Sequence, residues 1–223
     1  MRALDESARA ARFRVWTYCA SAVVLGCSQR AWHADVQQRL GARADVLLRE
    51  SGGGAVLVGP WLVSASVVVP HDHPWVRGGV VPSYRRIAEL HVDALAELGI
   101  ASQTLRPGDV TAANDAEPVV RWACFGSLSP WEVVDGRGRK LVGLAQRRRR
   151  ESVLLVAGTL VSVPDWTLLC DTLDHPQDEA ALRARTVSCE QIAGRPVPAA
   201  EFAAALARQL DDALRPHAAA PRQ

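Results

Sequence analysis

The segment RESGGGAV, residues 49–56, sets three consecutive glycines between two apolar stretches that read as β-strands. Glycine costs conformational entropy in such a place. Three in a row therefore indicate a backbone shape closed to other residues, or a ligand that approaches main-chain N–H groups closely. The alternative is a flexible hairpin loop, and the segment alone favours neither interpretation.

A second segment, RGRKLVGLAQRR at residues 137–148, carries Lys140 at the head of an apolar strand and Gly143 three residues later. A lysine beside a glycine that permits close approach could set its ammonium against a phosphate or a carbonyl. The alternative is a basic hairpin face exposed to water, which composition alone favours.

The composition describes an ordinary globular protein. The chain has 223 residues, 48% hydrophobic and 22% charged, and a net charge of +2. This charge gives no reason to expect a nucleic-acid or membrane partner. The five cysteines are odd in number and lack CxxC spacing, so we predict no metal site and no disulfide framework. A reduced, cytoplasmic protein is expected, since the N-terminus lacks a secretory apolar region and no run could span a membrane.

Periodicity predicts an α+β fold in one domain, residues 1–223, with a core at 12–163 and a helical C-terminal part at 164–215. Strands are predicted at 12–16, 22–25, 45–49, 55–58, 62–69, 131–134, 140–148 and 152–163. Helices are predicted at 33–40, 82–98, 165–173, 179–184 and 198–214, with a loop at 103–120 and a disordered tail at 217–223. Asp-Gly at 135–136 indicates a hairpin.

Taken together, the two segments resemble a known family. RxSGGGAV is similar to the RR-x-GGG-AV segment of lipoate–protein ligase A, and GRKLVGLAQRRRR to the family's G-R-K-x-x-G-x-A-Q-R strand. Residues 124–132, CFGSLSPWE, resemble the CF…P…E segment of the LipM-type octanoyltransferases. The resemblance spans roughly Arg12 to Val163 and includes an opening strand pair that ends in Gly-x-x-Gln.

The resemblance implies the biotin/lipoate protein ligase catalytic fold, in which a mixed, mostly antiparallel sheet packed with helices forms a tunnel for an acyl chain. Lys140 would contact the acyl carbonyl or phosphate and stabilise negative charge. Arg49 would flank the activated carboxyl group. The substrate-binding residues are therefore predicted to be Arg49, Ser51, Gly52, Gly53, Gly54, Ala55, Gly143 and Ala145.

Members of this family use one of two chemistries. Octanoyltransferases pass the acyl group from acyl carrier protein to a cysteine and then to a lysine of a lipoyl carrier domain, and they need no cofactor. Ligases activate lipoate with ATP and Mg. Cys124 stands where the LipM-type nucleophile would be, with Lys140 as the cation that lowers its pKa. Its other interpretation is an apolar packing residue.

The predicted function is transfer of a lipoyl or octanoyl group to a lipoyl-domain lysine through a Cys124 thioester. The expected partners are the lipoyl domains of 2-oxoacid dehydrogenase or glycine cleavage proteins, acyl carrier protein, and lipoate or octanoate. An ATP-dependent ligase and a non-catalytic module that binds an acyl group or a carrier protein are the alternatives. Residues 147–150, four arginines, could meet an acidic carrier or form a solvated strand end.

The chain departs from the family pattern at three places. The family histidine after GGGAV is absent from Leu57–Pro60, and the family His-Gly pair is replaced by Ala157-Gly158. The strand Trp61–Ser66 lacks the usual asparagine. About sixty residues follow Val163, fewer than the usual accessory domain of the ligases, which favours a transferase over a complete ligase or implies a partner chain.

Overall fold

Two β-sheets organise the structure, a computed structural model that describes residues 10–215. The strands are β1 Arg12–Trp16, β2 Ala22–Leu25, β3 Asp45–Leu48, β4 Val56–Val58, β5 Leu62–Pro70, β6 Gln103–Thr104, β7 Val133–Val134, β8 Lys140–Arg148 and β9 Ser152–Leu160. The helices are α1 His33–Leu40, α2 Val80–Glu97, α3 Val110–Asp115, α4 Trp166–Thr172, α5 Glu179–Arg185, α6 Cys189–Ala193 and α7 Ala199–Leu214. The predicted α+β class is confirmed.

The larger sheet has six strands in the order β1-β5-β9-β8-β7-β6, and every pairing is antiparallel. The smaller sheet has the order β3-β2-β4, with β2 parallel to β3 and antiparallel to β4. A parallel pair needs a crossover connection, and α1 supplies it between β2 and β3.

One core lies between the larger sheet and helices α2 and α7. Alternate residues of β5 and β9 face these helices, and Ile87 of α2 and Phe202 of α7 are fully buried against them. A second core joins the smaller sheet to α1 and α4. Leu62 and Leu160 belong to this second core, so β5 and β9 contribute to both.

The structure corrects several predicted bounds. The region predicted as a loop, 103–120, contains β6 and α3, and the short helix α6 was not predicted. The strand predicted at 131–134 begins only at Val133, because Trp131 has a φ of +69° that no strand residue adopts. The strand predicted to reach residue 163 ends at Leu160. The Asp-Gly hairpin is confirmed between β7 and β8, and the predicted tail at 217–223 lies outside the described residues.

Within residues 10–215, none of the helices combines the length and the apolar character needed to cross a membrane.

Candidate active site

Cys124 lies in a tight turn between α3 and β7. Val120 N–H donates to the Gly126 carbonyl (2.8 Å) and Gly126 N–H donates to the Ala123 carbonyl (3.0 Å), which closes the turn on itself. A side chain at Gly126 would collide with the backbone of Val120. The Cys124 thiol is free and half-buried, whereas Cys170 and Cys189 are buried core residues.

The Cys124 turn packs directly against the end of the three-glycine segment. Cys124 N–H donates to the Ala55 carbonyl (2.8 Å), and Ala55 N–H donates to the Trp122 carbonyl (2.7 Å). Gly54 has no room for a side chain, because a Cβ there would lie 2.6 Å from the carbonyl carbon of Ala123. The close approach that the glycines permit is therefore, at Gly54, an approach of two segments of the same chain.

The Arg49 side chain binds backbone carbonyls of the three-glycine loop. Its guanidinium donates to the carbonyl oxygens of Gly52 (3.2 Å) and Gly54 (2.6 Å), and Gly53 has a φ of +98°. The Ser51 carbonyl accepts from the backbone N–H of Cys27 (3.2 Å). With the carbonyls turned to Arg49, the N–H groups of residues 52–54 have no hydrogen-bond acceptor within residues 10–215. Such a row of N–H groups is suited to an anion.

Lys140 reaches the Cys124 turn from the other side. Its ammonium donates to the carbonyls of Cys124 (2.8 Å) and Ser127 (2.9 Å) and forms an ion pair with Glu132 Oε1 (2.7 Å). Both charged side chains are only 2% exposed. All three ammonium protons are thus engaged by partners from the protein itself, two backbone carbonyls and the Glu132 carboxylate. Contact with an acyl carbonyl, as the resemblance implies, stays a prediction.

Gly143 of β8 lies where the Lys140 and Phe125 side chains meet the larger sheet. A Cβ at Gly143 would lie 3.3 Å from Lys140 Cε and 3.6 Å from Phe125 Cζ. Gly143 and Ala145 lie on the sheet face opposite to α2 and α7, in register with Gly158 and Val156 of β9. Next to Gly158 in β5 is Ser64, so small residues cover this face beside Cys124.

The structure thus brings together the predicted residues from three separate parts of the chain. Two residues that the sequence did not single out, Tyr84 and Trp122, also belong to the cluster, beside the glutamate of the CF…P…E segment. Glu132 carries the buried carboxylate, and Tyr84 of α2 interacts electrostatically with both Glu132 and Cys124. Burial raises the pKa of Tyr84, and a hydrogen bond with Gln146 opposes this. The CF…P…E segment, residues 124–132, already contained Glu132, but no ion-pair partner was predicted for it.

Trp122 was also missed by sequence reasoning. It joins the Cys124 turn to distant segments of the chain. Its carbonyl accepts from Gln29 Nε2 (2.8 Å), its indole N–H donates to Asp178 (2.7 Å), and its ring stacks on His175 at 5.1 Å. The Cys124 turn is therefore supported from the region after α4 as well as from the three-glycine loop.

The arginine run has internal partners. Arg147 and Arg149 pair with Glu50, which precedes the three-glycine segment. Arg148 donates to the Val76 carbonyl (2.8 Å) and to Ser83 Oγ (3.1 Å). The run ties β8 to the first motif and to the start of α2, and Arg150 at its end is exposed.

A cavity of about 310 Å³ lies elsewhere, lined by Trp32, Asp35, Val36, Arg39, Leu173, Asp174 and His175. None of the predicted substrate-binding residues lines it, and the acyl tunnel stays a prediction. Within the described part of the chain, no three His, Cys, Asp or Glu side chains form a group that could hold a metal ion.

Solved structures of lipoate ligases share this fold. Lipoate-protein ligase A bound with ATP has a TM-score of 0.65 at 23% identity, covering 94% of this chain and 74% of that one. The bi-partite lipoate protein ligase of Thermoplasma acidophilum, studied with its E2 lipoyl domain, has a TM-score of 0.66 at 20% identity, covering 92% and 71%. These likenesses establish the fold.

Curated relatives are named octanoyltransferases. Octanoyltransferase LipM of Kyrpidia tusciae is 36% identical over 196 residues, which are 85% of this chain and 70% of that protein. Octanoyltransferase LipM of Symbiobacterium thermophilum is 32% identical over 179 residues, 76% of this chain and 64% of that protein. Relatives, fold and site together define an acyltransferase or ligase that handles lipoyl-type groups. The chain belongs to the lipoyl protein ligase A/B catalytic domain family, whose model matches residues 1–211.

Proposed function

We propose that this protein is an octanoyltransferase that carries the acyl group on Cys124 and delivers it to a lysine of a lipoyl carrier domain. The observation that carries the proposal is that Cys124 is free and half-buried, and that its backbone N–H and carbonyl bind the end of the three-glycine segment and the Lys140 ammonium. A thiol in this place can act as a nucleophile, and a thioester is a reactive acyl donor.

The reaction divides into two acyl transfers. In the first, the Cys124 thiolate attacks the carbonyl carbon of the donor thioester, the new carbon–sulfur bond forms to Sγ, and the donor leaves as its thiolate. In the second, the neutral amine of the acceptor lysine attacks the Cys124 thioester. The amide forms, the carbon–sulfur bond to Cys124 breaks, and the amine proton passes to the departing thiolate.

Lys140 supplies positive charge to this chemistry. Its Nζ lies 2.8 Å from the Cys124 carbonyl oxygen. Since the carbonyl oxygen and the sulfur of one cysteine are joined by four bonds, Nζ and Sγ are at most about 8 Å apart. A cation at this range stabilises the oxyanion that develops on the acyl carbonyl.

The acyl chain would lie over the small residues of the sheet face. Gly143, Gly158 and Ser64 lie side by side on three neighbouring strands, starting next to Lys140 and Phe125. Ala145 lies two residues further along β8 on the same face. Tyr18 forms a hydrogen bond with Ser64 Oγ (2.8 Å), and Leu62 and Phe125 lie close to Gly158 and Gly143, so an acyl chain on this face would pack against these three side chains.

An ATP-dependent ligase is the second candidate, and the three-glycine loop favours it specifically. The N–H groups of residues 52–54 and the Arg49 guanidinium are suited to a phosphate. A solved lipoate-protein ligase A of the same fold is bound with ATP. This reaction would require ATP and Mg, whereas the transferase reaction requires neither.

The acceptor is proposed by analogy with the archaeal ligase that was studied together with its E2 lipoyl domain. Lipoyl domains of 2-oxoacid dehydrogenase or glycine cleavage proteins are candidate acceptors, and acyl carrier protein is the candidate donor. We retain the cytoplasm as the expected compartment, since all five cysteines are free thiols.

The test is the intact mass of the protein after incubation with octanoyl-loaded acyl carrier protein. A gain of one octanoyl group that is lost in Cys124→Ser supports the transferase, and transfer to a lipoyl domain should follow. If no adduct forms and lipoate with ATP modifies the lipoyl domain even in Cys124→Ser, the ligase is the function. Failure of both reactions leaves a module that binds an acyl group or carrier protein.

A further inference from the structure

We propose that Glu132 is a positioning residue, which holds the Lys140 ammonium in its charged form against the carbonyls of Cys124 and Ser127 and so keeps a cation beside the Cys124 thiol. This role of Glu132 is additional to the proposed transferase function. Of the two measurements below, only the rate of octanoyl-thioester formation depends on that function.

Glu132 is held as firmly as the lysine that it binds. Oε1 accepts from Lys140 Nζ (2.7 Å) and from the backbone N–H of Leu144 (3.0 Å), and Oε2 accepts from the N–H of Ser129 (2.8 Å). The carboxylate thus links β8, the segment before β7 and the end of the Cys124 turn. A surface ion pair would not need this support, because water would solvate both charges.

Burial makes the protonation of each partner depend on the other. A buried lysine without a counter-ion loses its proton, since burial disfavours the charged form. The same burial raises the pKa of Glu132, and the Lys140 charge opposes that shift. Removing the Glu132 charge should therefore leave Lys140 neutral near pH 8, and acidification should return its proton.

The surrounding groups do not obscure this effect. Tyr84 faces Glu132 and Cys124 from α2, and burial raises its pKa, so it stays neutral between pH 6 and pH 8. On the opposite side, Val187 binds the Lys140 backbone, and the neighbouring Arg185 is engaged with the carbonyls of residues 114, 117 and 118. No other charged side chain in residues 10–215 forms an ion pair with Lys140 or Glu132.

The experiment compares Glu132→Gln with Lys140→Met and the unchanged protein at pH 6 and at pH 8. Two rates are measured: octanoyl-thioester formation, and alkylation of Cys124 by iodoacetamide, with Cys124→Ser giving the contribution of the other cysteines. We expect Glu132→Gln to be as slow as Lys140→Met at pH 8. At pH 6 it should approach the unchanged protein and exceed Lys140→Met about tenfold, since a positioned cation that stabilises developing negative charge contributes at least this much to the rate.

Two patterns of rates would contradict the proposal. If Glu132→Gln follows Lys140→Met at both pH values, its role is structural and the proposal is wrong. If it follows the unchanged protein at both, Glu132 is not needed. If it does not fold, Glu132→Asp replaces it, and a folded Asp variant as slow as Lys140→Met contradicts the proposal. Alkylation needs no acyl donor, so it decides the role of Glu132 even if no thioester forms.

Discussion

His91 of α2 is a fully buried histidine whose ring makes one hydrogen bond within residues 10–215, from Nδ1 to the Ile87 carbonyl (2.7 Å), and leaves Nε2 without a partner there. Burial lowers its pKa from 6.5 to about 4. The unfolded chain therefore binds a proton below pH 6.5 that the folded protein excludes until about pH 4. The free energy of unfolding should decrease as the pH is lowered through this window, because the unfolded state binds more protons there.

Replacing His91 with leucine tests this directly. At pH 7 the change should be small, because the histidine is neutral in both states. At pH 5 the variant should exceed the unchanged protein by about 2 kcal/mol in free energy of unfolding, the linkage value for a shift of this size. Urea denaturation at both pH values measures the difference, and an equal difference at pH 5 and pH 7 would contradict the explanation.

Single residues also show how far the sequence could lead. Cys124, Lys140 and Gly143 could be named from motifs, and the structure places them together. Glu132 could not be assigned a partner, because a carboxylate in a short apolar stretch reads equally as an edge residue facing water. Its role depends on burial and on the N–H groups of Ser129 and Leu144, which only the fold supplies.

At the scale of elements, the contact between the three-glycine loop and the Cys124 turn predicts contrasting effects for two neighbouring glycines. Gly54→Ala forces its Cβ into the carbonyl group of Ala123, whereas a Cβ at Gly52 meets no atom within 4 Å. We expect Gly54→Ala to cost about 1–3 kcal/mol, the usual range for overpacking, and to slow thioester formation more than tenfold. Gly52→Ala is the matched control and should stay within about 0.5 kcal/mol.

Both variants can be compared by thermal unfolding and by the intact-mass assay. Equal behaviour of the two glycines would show that the loop tolerates displacement from the turn.

Long periodic elements were predictable and short ones were not. Helix α2, with its apolar face, was predicted within two residues, and the hairpin of β7 and β8 followed from Asp-Gly. The two-residue strand β6 and the six-residue helix α3 carry too few residues to show a period. The pairing of β1 with β5 joins strands about fifty residues apart, and nothing local indicates it.

For the whole molecule, the sharing of β5 and β9 between two cores predicts one cooperative unfolding transition for a single domain, which stays a prediction. Arg185 provides a probe. It is 2% exposed and donates to carbonyls of Asn114, Glu117 and Pro118. Arg185→Met leaves these carbonyls without their donor, so we expect a loss of roughly 2–4 kcal/mol.

Tryptophan fluorescence and far-UV circular dichroism should report this loss at one shared midpoint. The matched control is Arg183→Met, whose half-exposed side chain pairs with Glu179 and should matter by less than about 0.5 kcal/mol. Two separate midpoints would show that the helical C-terminal part unfolds on its own.

The support of Trp122 by Asp178 and His175 has a consequence for biosynthesis. The ribosome adds Cys124 well before the residues that support Trp122, and at 5–20 residues per second Asp178 follows roughly 3 to 11 s later. During that interval Trp122 lacks its contacts with His175 and Asp178, whereas Ala55 and Lys140, which bind the Cys124 backbone, are already part of the chain. We therefore expect a chain stalled before residue 174 to contain every predicted site residue but to lack the support of Trp122, which the C-terminal part of the chain supplies last.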